Sequence, residues 1–200
     1  MKVMNYYSAK DMAAAFRTVR NNTIKIAEEI PEDKYTFQAA SDSRTVAQTL
    51  VHIAMGTRFA LAVHGEKLKT MEGFNFYSFI HPIIAEEQKS RSKAEIIQLL
   101  RTSGDQFAKW LEGLSDGFLA EQVSFPAGAQ PPAKTRFEML LSPKEHEMHH
   151  RAQLMVLQRM LGITPHLTRE QQARMAAMQA AQAGLLPGAV QPILLAHSNP

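Results

Sequence analysis

The sequence contains no cysteine among its 200 residues. Disulfide bonds, thiolate metal ligands and a cysteine nucleophile are therefore excluded, and any metal site must use histidine or carboxylate side chains. The chain also lacks the run of roughly 18 uninterrupted apolar residues that a transmembrane helix requires. Its N-terminal residues lack the apolar segment of a secretory signal. These absences predict a cytoplasmic protein with no membrane partner.

An excess of charge of one sign is missing as well. Lysine and arginine number 22 against 19 acidic residues, for a net charge of +3, and no dense basic block is present. A nucleic-acid partner is therefore not predicted. The hydrophobic fraction of 45% and the charged fraction of 20% are typical of a globular protein. A length of 200 residues predicts one core with an appendage.

Helical signals dominate the chain, and no alternating strand pattern competes with them, so the sequence predicts an all-α fold. Capping residues and helix breakers delimit each segment. Ser8 is a plausible N-cap and Pro31 a stop for the first segment, while Ser92 with Glu95 has the spacing of a capping box. The predicted helices cover residues 8–30, 41–65, 92–113 and 132–162, and Pro143 should kink the last of them or mark where its regular part begins.

The connections indicate the topology. The link 31–42 is short enough to join antiparallel neighbours, whereas 66–91 is a long crossover that lets the second and third helices of a four-helix bundle run in the same direction. The crossover is too apolar for a free linker. We expect it to fold back over one end or a groove of the bundle, as a core plug or as a pocket lid. Its apolar residues are Phe74, Phe76, Tyr77, Phe79 and Ile83.

The composition changes after the fourth helix. We divide the chain into a bundle of residues 1–164 and an extension of residues 165–200 rich in alanine, glutamine and methionine. Thr168 can cap a helix that reaches about Ala183 and stops before Pro187. Met148 and Met155 on the fourth helix suit a homodimer interface, with isolated surface methionines as the alternative.

Three of the eight histidines fall within the segment "KEHEMHHRAQL", residues 144–154. On a helix, His150 lies about 40° from His146, and both lie in the middle of an apolar stripe, whereas His149 lies about 60° the other way, near the rim of the stripe. An i, i+4 histidine pair can bring two ring nitrogens to one cation. The alternative is a pair of core histidines that bond to their neighbours.

The other side of this helix reads as a solvated face. Glu145 and Glu147 flank the stripe, and we interpret both as solvated charges rather than proton-transfer groups. The residues predicted on the solvated face are Lys144, Arg151, Gln158 and Arg159. Four further histidines lie in connections or in the tail and receive no role: His64, His81, His166 and His197.

His52 on the second helix is the candidate for a third ligand. It lies on a face of small and polar residues, and Gly56 one turn away either leaves room for a water or a substrate atom or merely permits close helix packing. Gln48 and Gln153 share the ligand faces and can orient the second nitrogen of a histidine, a usual task for residues around a metal site.

Three segments carry a family resemblance. "RTVAQTLVHIA" at 44–54, followed far downstream by "HEMHHRAQL" at 146–154 and "LQRMLG" at 157–162, resembles the DinB/YfiT-like superfamily over roughly residues 8–164. The resemblance implies an up-down-down-up four-helix bundle that holds a divalent metal, usually nickel or zinc. The implied ligands are His52, His146 and His150. Ala152 departs from the glycine that is common there.

Such a site implies catalysis. Three histidines leave open coordination positions, and neutral ligands leave the charge of the metal uncompensated, which favours activation of a water or a thiol. The resemblance includes bacillithiol and mycothiol S-transferases and a thiol-dependent isomerase. We therefore expect a metal-dependent transferase or hydrolase-like enzyme that acts on a small molecule, with a low-molecular-weight thiol as a candidate cofactor. The alternative is a non-enzymatic, stress-related bundle whose metal is structural or vestigial.

Overall fold

A computed structural model of the protein describes residues 7–184 and divides the chain into two compact units, Met1–Ile163 and Thr164–Pro200. The first unit is mainly helical, with a short 3-10 helix at Glu32–Lys34 and one turn of π-helix at Leu61–Gly65. Its helices are α1 (Ala9–Glu29), α2 (Val46–Met55), α3 (Thr57–Ala60), α4 (Phe76–Glu87), α5 (Lys93–Glu112), α6 (Asp116–Ala120) and α7 (Arg136–Met160).

Four helical rods form the bundle: α1, the nearly continuous α2 and α3, α5, and α7. Among these rods, both α1 and α2 pack against α5 and α7. Helices α1 and α2 therefore lie across the bundle diagonal, which corrects the expectation that the link 31–42 joins side-by-side neighbours. A short link can span this diagonal because the two helix ends it joins meet in the same apolar cluster.

The two core clusters give the direction of each helix. One cluster joins the C-terminal end of α1 with the start of α2, the start of α5 and the end of α7. The other joins the start of α1 with α3, the end of α5 and the first half of α7. Helices α1 and α7 therefore run one way and α2 and α5 the other, and the predicted up-down-down-up bundle is confirmed.

The capping residues explain where the helices begin. Ser8 and Ser92 cap α1 and α5 through full capping boxes, as the sequence indicates. The second helix begins later than predicted, at Val46, because Thr45 accepts from the backbone N–H of Gln48 while the Gln48 side chain accepts from the N–H of Thr45. Residues 41–43 form a turn instead.

The crossover contains a helix that the sequence did not predict. Asn75 caps α4, which packs against α2 with Ile83 and Glu87 buried. The ring of Phe59 lies 5.8 Å from that of Phe74 and 5.7 Å from that of Phe79, measured between centroids. The crossover therefore covers one side of the bundle, as expected from its apolar residues.

The segment before α7 also differs from the prediction. Strands β1 (Gln122–Ser124) and β2 (Ala133–Thr135) pair as an antiparallel two-stranded ribbon. Thr135 then caps α7, so the helix begins at Arg136 rather than near residue 132. It continues through Pro143, which therefore does not mark the start of its regular part.

Helix α7 buries one seam whose members alternate four and three residues apart. The seam is centred about 70° from His146, so it includes Glu147, and Gln158 beside it is buried as well. Their predicted exposure is wrong because α7 packs against both α1 and α2 and needs a wider inward face. The seam residues are Arg136, Leu140, Pro143, Glu147, His150, Leu154 and Leu157.

The described part of the second unit is one helix, α8 (His166–Gln182). It begins after Pro165, two residues before the predicted cap at Thr168, and its C-cap is Ala183. The predicted stop at Pro187, His197 and the rest of residues 185–200 lie outside the described residues.

One span, Val46–Gly65, is long and apolar enough to cross a membrane by length and composition. More than half of its most apolar window, 56%, is buried inside the protein. A buried core helix passes the same test, so this span is only weak evidence for a membrane.

Candidate metal centre

Three histidines meet where α2 packs against α7. His146 and His150 lie one turn apart on α7 and face His52 on α2, and one ring nitrogen of each lies within 4.8 Å of the others. The Nε2 atoms of His52 and His146 are 2.9 Å apart, and the ring centroids are separated by 4.6 to 4.8 Å. The structure thus brings together the three residues that the sequence selected.

The crossover supplies a carboxylate that the sequence analysis missed. Glu87 Oε1 lies 2.6 Å from Nδ1 of His52, and Glu87 Oε2 accepts from Nε of Arg44 at 2.7 Å. Burial alone would raise the pKa of Glu87, but the hydrogen bonds from His52 and Arg44 hold it below its usual range. Glu87 is therefore an ionised group that fixes the His52 ring.

The two glutamines of the sequence analysis have different positions. Oε1 of Gln153 lies 2.8 Å from Nδ1 of His150, and its Nε2 lies 3.2 Å from Nε2 of the exposed His149. Gln48 instead accepts from the backbone of Thr45 and donates to Gln88 at 3.0 Å. Gln153 thus contacts a candidate ligand, as the sequence predicts. Gln48 does not, because Glu87 occupies the position at Nδ1 of His52 that Gln48 was expected to take.

Gly56 leaves the space that the His146 ring occupies. A Cβ atom at residue 56 would lie 2.8 Å from Nδ1 and 3.0 Å from Cε1 of the His146 ring, closer than side-chain atoms approach in folded proteins. Of the two roles considered for Gly56, room for a ligand or close packing, the structure shows close packing, and the group that packs against Gly56 is the His146 ring.

The imidazoles of His146 and His150 are held neutral. Burial, with smaller effects from the neighbouring histidines, lowers the pKa of His146 to about 4. Burial also lowers the pKa of His150, although its hydrogen bond with Gln153 opposes the shift. Neutral imidazoles keep a lone pair for a metal ion, so the site favours cation binding over protonation at neutral pH.

A buried ion pair lies beside the histidines. Nε of Arg20 donates to both carboxylate oxygens of Glu147 at 2.9 and 3.0 Å, and the two side chains are 3% and 2% exposed. Glu147 is therefore neither a solvated charge nor a free base. The sequence did not predict this ion pair because its members are 127 residues apart.

Two cavities flank the histidines. One, of about 880 Å³, is polar and is lined by Arg44, Glu87, His150 and Gln153 among others. The second, of about 500 Å³, is more apolar, and its lining includes His52 and His146. The three imidazoles therefore stand between two spaces of different polarity, each large enough for a small molecule.

The sequence matches the DinB family over residues 1–182. The chain belongs to this family. No curated protein matches it significantly. The family match runs past residue 163 through α8, so the helix of the second unit falls within the DinB region.

Solved DinB-like structures share the fold. A DinB-like protein of Bacillus subtilis, YjoA, is 23% identical with a TM-score of 0.57, covering 76% of this chain and 92% of its own. A DinB-like protein of Bacillus cereus is 18% identical with a TM-score of 0.62, covering 80% and 97%. YfiT of Bacillus subtilis is 14% identical with a TM-score of 0.61, covering 82% and 93%, and is described as a probable metal-dependent hydrolase with an unusual four-helix bundle topology.

Proposed function

We propose that His52, His146 and His150 bind one divalent transition metal, nickel or zinc, and that this DinB protein is a metal-dependent enzyme. Its chemistry is activation of a water or of a low-molecular-weight thiol towards a small-molecule substrate, as in a hydrolase or an S-transferase. The main support for this proposal is that one ring nitrogen of each of the three histidines lies within 4.8 Å of the others. The description of YfiT as a probable metal-dependent hydrolase supports this proposal.

The hydrogen bonds around the histidines fit a metal site. A carboxylate and an amide oxygen only accept, so Nδ1 of His52 donates to Glu87 and Nδ1 of His150 donates to Gln153. The proton of each ring is thereby held on Nδ1, and Nε2 keeps its lone pair. Imidazole ligands suit nickel and zinc, and the absence of cysteine already removes thiolate competition.

A cation on three neutral ligands supplies Lewis acidity and favours deprotonation of a water or a thiol. Neighbouring side chains orient the histidines for this chemistry. Arg44 and Glu87 fix the His52 ring, and Gln153 fixes that of His150. The exposed fraction of His150 is only 8%, so the protein around this ring limits its contact with bulk water and strengthens electrostatic interactions there.

Metal analysis of protein produced without a polyhistidine tag tests the proposal. We expect about one transition-metal ion per chain by mass spectrometry, and loss of that ion in His52→Ala and in His150→Ala. His149→Ala is the matched control, because His149 is exposed and belongs to the same helix; it should retain the metal. A metal-replete preparation of the intact chain that binds none would refute the proposed site.

Activity assays separate the reaction classes. Metal-dependent consumption of one thiol from a panel with a common electrophile would support the transferase, and metal-dependent hydrolysis of an ester or amide panel would support the hydrolase. A bound metal without turnover of either panel would favour the non-enzymatic bundle.

We also propose a homodimer through Met148, which is 42% exposed. Met155 is partly buried against the core instead. Sedimentation measures the oligomeric state.

A further inference from the structure

The cavity of about 500 Å³ is lined by residues spread along one side of the bundle. Its lining includes both His52 and His64, which lie on the continuous helical stretch from α2 to the π-turn. Twelve helical residues correspond to about 18 Å along the axis. A ligand that fills this space would therefore be long, with one end at the three histidines and the other near His64.

The walls of the cavity are aromatic, and one of them is incompletely covered. Phe59 of α3 and Phe76 and Phe79 of α4 line it together, with Phe59 and Phe79 in ring contact. Phe76 remains 56% exposed. A crossover that only plugged the core would bury this ring, so its exposure at the cavity indicates a surface that an apolar ligand would cover.

The charges at the cavity disfavour an anionic ligand. Lys134 lies 3.5 Å from the carboxylate of Glu138, its ion-pair partner. Glu145 adds a further carboxylate to the lining. The cationic side chain in this lining is thus already balanced, and in the metal-free protein a negatively charged molecule would meet an excess of acidic groups.

His64 provides one hydrogen-bond donor in these apolar surroundings. It is 2% exposed, and its Nδ1 lies 3.2 Å from Nη1 of Arg136. A guanidinium only donates, so Nδ1 accepts and the ring proton resides on Nε2. Burial and the charge of Arg136 lower the pKa of His64 to about 4, in agreement with a neutral ring. Its Nε2–H group can serve an acceptor on a bound molecule.

We propose that this cavity binds an elongated, uncharged, aromatic or aliphatic molecule whose single carbonyl or ether oxygen accepts a hydrogen bond from Nε2–H of His64. The binding of this molecule depends only on the cavity. The further statement that its other end is the group transformed at the three histidines rests on the proposed metal-dependent function, and it defines the substrate class as apolar and neutral.

The fluorescent ketone Prodan is a suitable probe because it is neutral, elongated and sensitive to the polarity of its surroundings. We expect saturable binding with a blue-shifted emission, to the full-length protein as purified and after removal of metal by chelation. Ser142→Trp should weaken binding at least tenfold, because the exposed Ser142 lines this cavity. Ser41→Trp, a matched change in the polar cavity, should leave it unchanged. Equal affinities in the two variants, or no saturable binding, would overturn the proposal.

Three competitors of similar size define the ligand class on the chelated protein. Acetylnaphthalene should displace Prodan at about fivefold lower concentration than ethylnaphthalene, the difference expected for one hydrogen bond, and His64→Phe should remove this difference. Naphthoate should be the weakest of the three. Tightest displacement by naphthoate, or no preference for the ketone in the unmodified protein, would contradict the assignment.

The metal and the probe are measured separately, so the two proposals can fail separately. Prodan binding by a protein that takes up no metal even when metal is supplied would leave the cavity assignment intact and remove the catalytic one. Bound metal without Prodan binding would do the reverse.

Discussion

At the scale of single residues, the contact between Glu87 and His52 decides how well one ligand is oriented. A carboxylate on the outer nitrogen of a metal-binding histidine fixes the ring and increases its basicity, and loss of such a partner typically costs about 10- to 100-fold in metal affinity. We therefore expect Glu87→Gln to weaken metal binding by about tenfold and Glu87→Ala by more, measured by competition with a chromophoric chelator.

The neighbouring glutamate provides the control for this prediction. Glu86 forms ion pairs with Lys89 and Arg91 on the surface of the crossover and makes no contact with a histidine among the described interactions. Glu86→Gln should retain the affinity of the unmodified protein. Equal affinities for the Glu86 and Glu87 variants would show that the carboxylate at His52 does not support metal binding.

His64 makes the stability of the protein depend on pH. Its pKa is about 4 in the folded protein against an ordinary value of 6.5, because burial and Arg136 disfavour the charged ring. Between these values the unfolded chain binds a proton that the folded chain does not, so the free energy of unfolding falls as the pH falls from 6.5 towards 4. The stabilisation is fully present above pH 6.5.

Urea unfolding of metal-free protein between pH 6.5 and 5 measures this effect. His146 titrates in the same window, so the comparison is with His64→Gln, which cannot protonate. The variant should have a shallower pH dependence, by up to about 1.4 kcal/mol per pH unit. Parallel curves for the two proteins would show that His64 does not contribute.

At the scale of helices, Arg20 ties the bundle together from its interior. Its guanidinium extends from α1 to Glu147 of α7, donates to the Leu100 carbonyl and the Ser103 hydroxyl of α5, and lies 3.3 Å from the Ile53 carbonyl of α2. All four rods of the bundle therefore share one buried cation. Removal of either partner of the ion pair would leave a buried charge unpaired.

Gly104 of α5 creates the space for this side chain. A Cβ atom there would lie 2.8 Å from Cγ of Arg20, and the guanidinium bonds to Glu147 and Leu100 prevent an easy shift. We expect Gly104→Ala to destabilise the protein by about 1–3 kcal/mol, although alanine has the higher helix propensity. Chemical denaturation measures the change.

Gly113, at the end of the same helix, provides the comparison. A Cβ atom there meets only the Trp110 carbonyl, at an ordinary 3.5 Å. Gly113→Ala should leave the free energy of unfolding unchanged or raise it slightly. Stabilisation by Gly104→Ala would mean that Arg20 can move aside without loss of its bonds.

The helices and the histidine pair of α7 could be predicted because their signals are local, whereas His52 was implied by the family resemblance. Capping residues gave the first turns of α1 and α5, and the i, i+4 spacing placed His146 and His150 on one side of α7. Helix α4 was missed, and with it Glu87, because its apolar residues pack on a partner that the sequence does not identify. The burial of Glu147 was missed for the same reason: Arg20, its partner, lies on a helix far away in the chain.

At the scale of the whole molecule, metal binding should stabilise the fold. A ligand that binds only the folded state at 100 times its dissociation constant contributes about 2.7 kcal/mol. For a chain of this size, 1 kcal/mol corresponds to about 2–4 °C, so chelation should lower the Tm by about 5–10 °C. Differential scanning calorimetry with and without metal measures the shift.

The histidine variants show whether this stabilisation arises at the proposed site. In His150→Ala the metal-dependent shift in Tm should disappear, while His149→Ala should retain it. A shift of equal size in both variants would indicate that the metal binds elsewhere on the chain.

The alternating spacing of four and three residues along the buried seam of α7 has a consequence for how the chain can change in length. Insertion or deletion of a single residue within the helix would rotate everything beyond it by about 100°. Between Glu147 and His150, such a change would turn His150 away from both His146 and the ion pair of Arg20 with Glu147. Point substitutions on the outer face of α7 should be tolerated much better than any change in its length, whereas the connection between β1 and β2 lies outside this constraint and can vary in length.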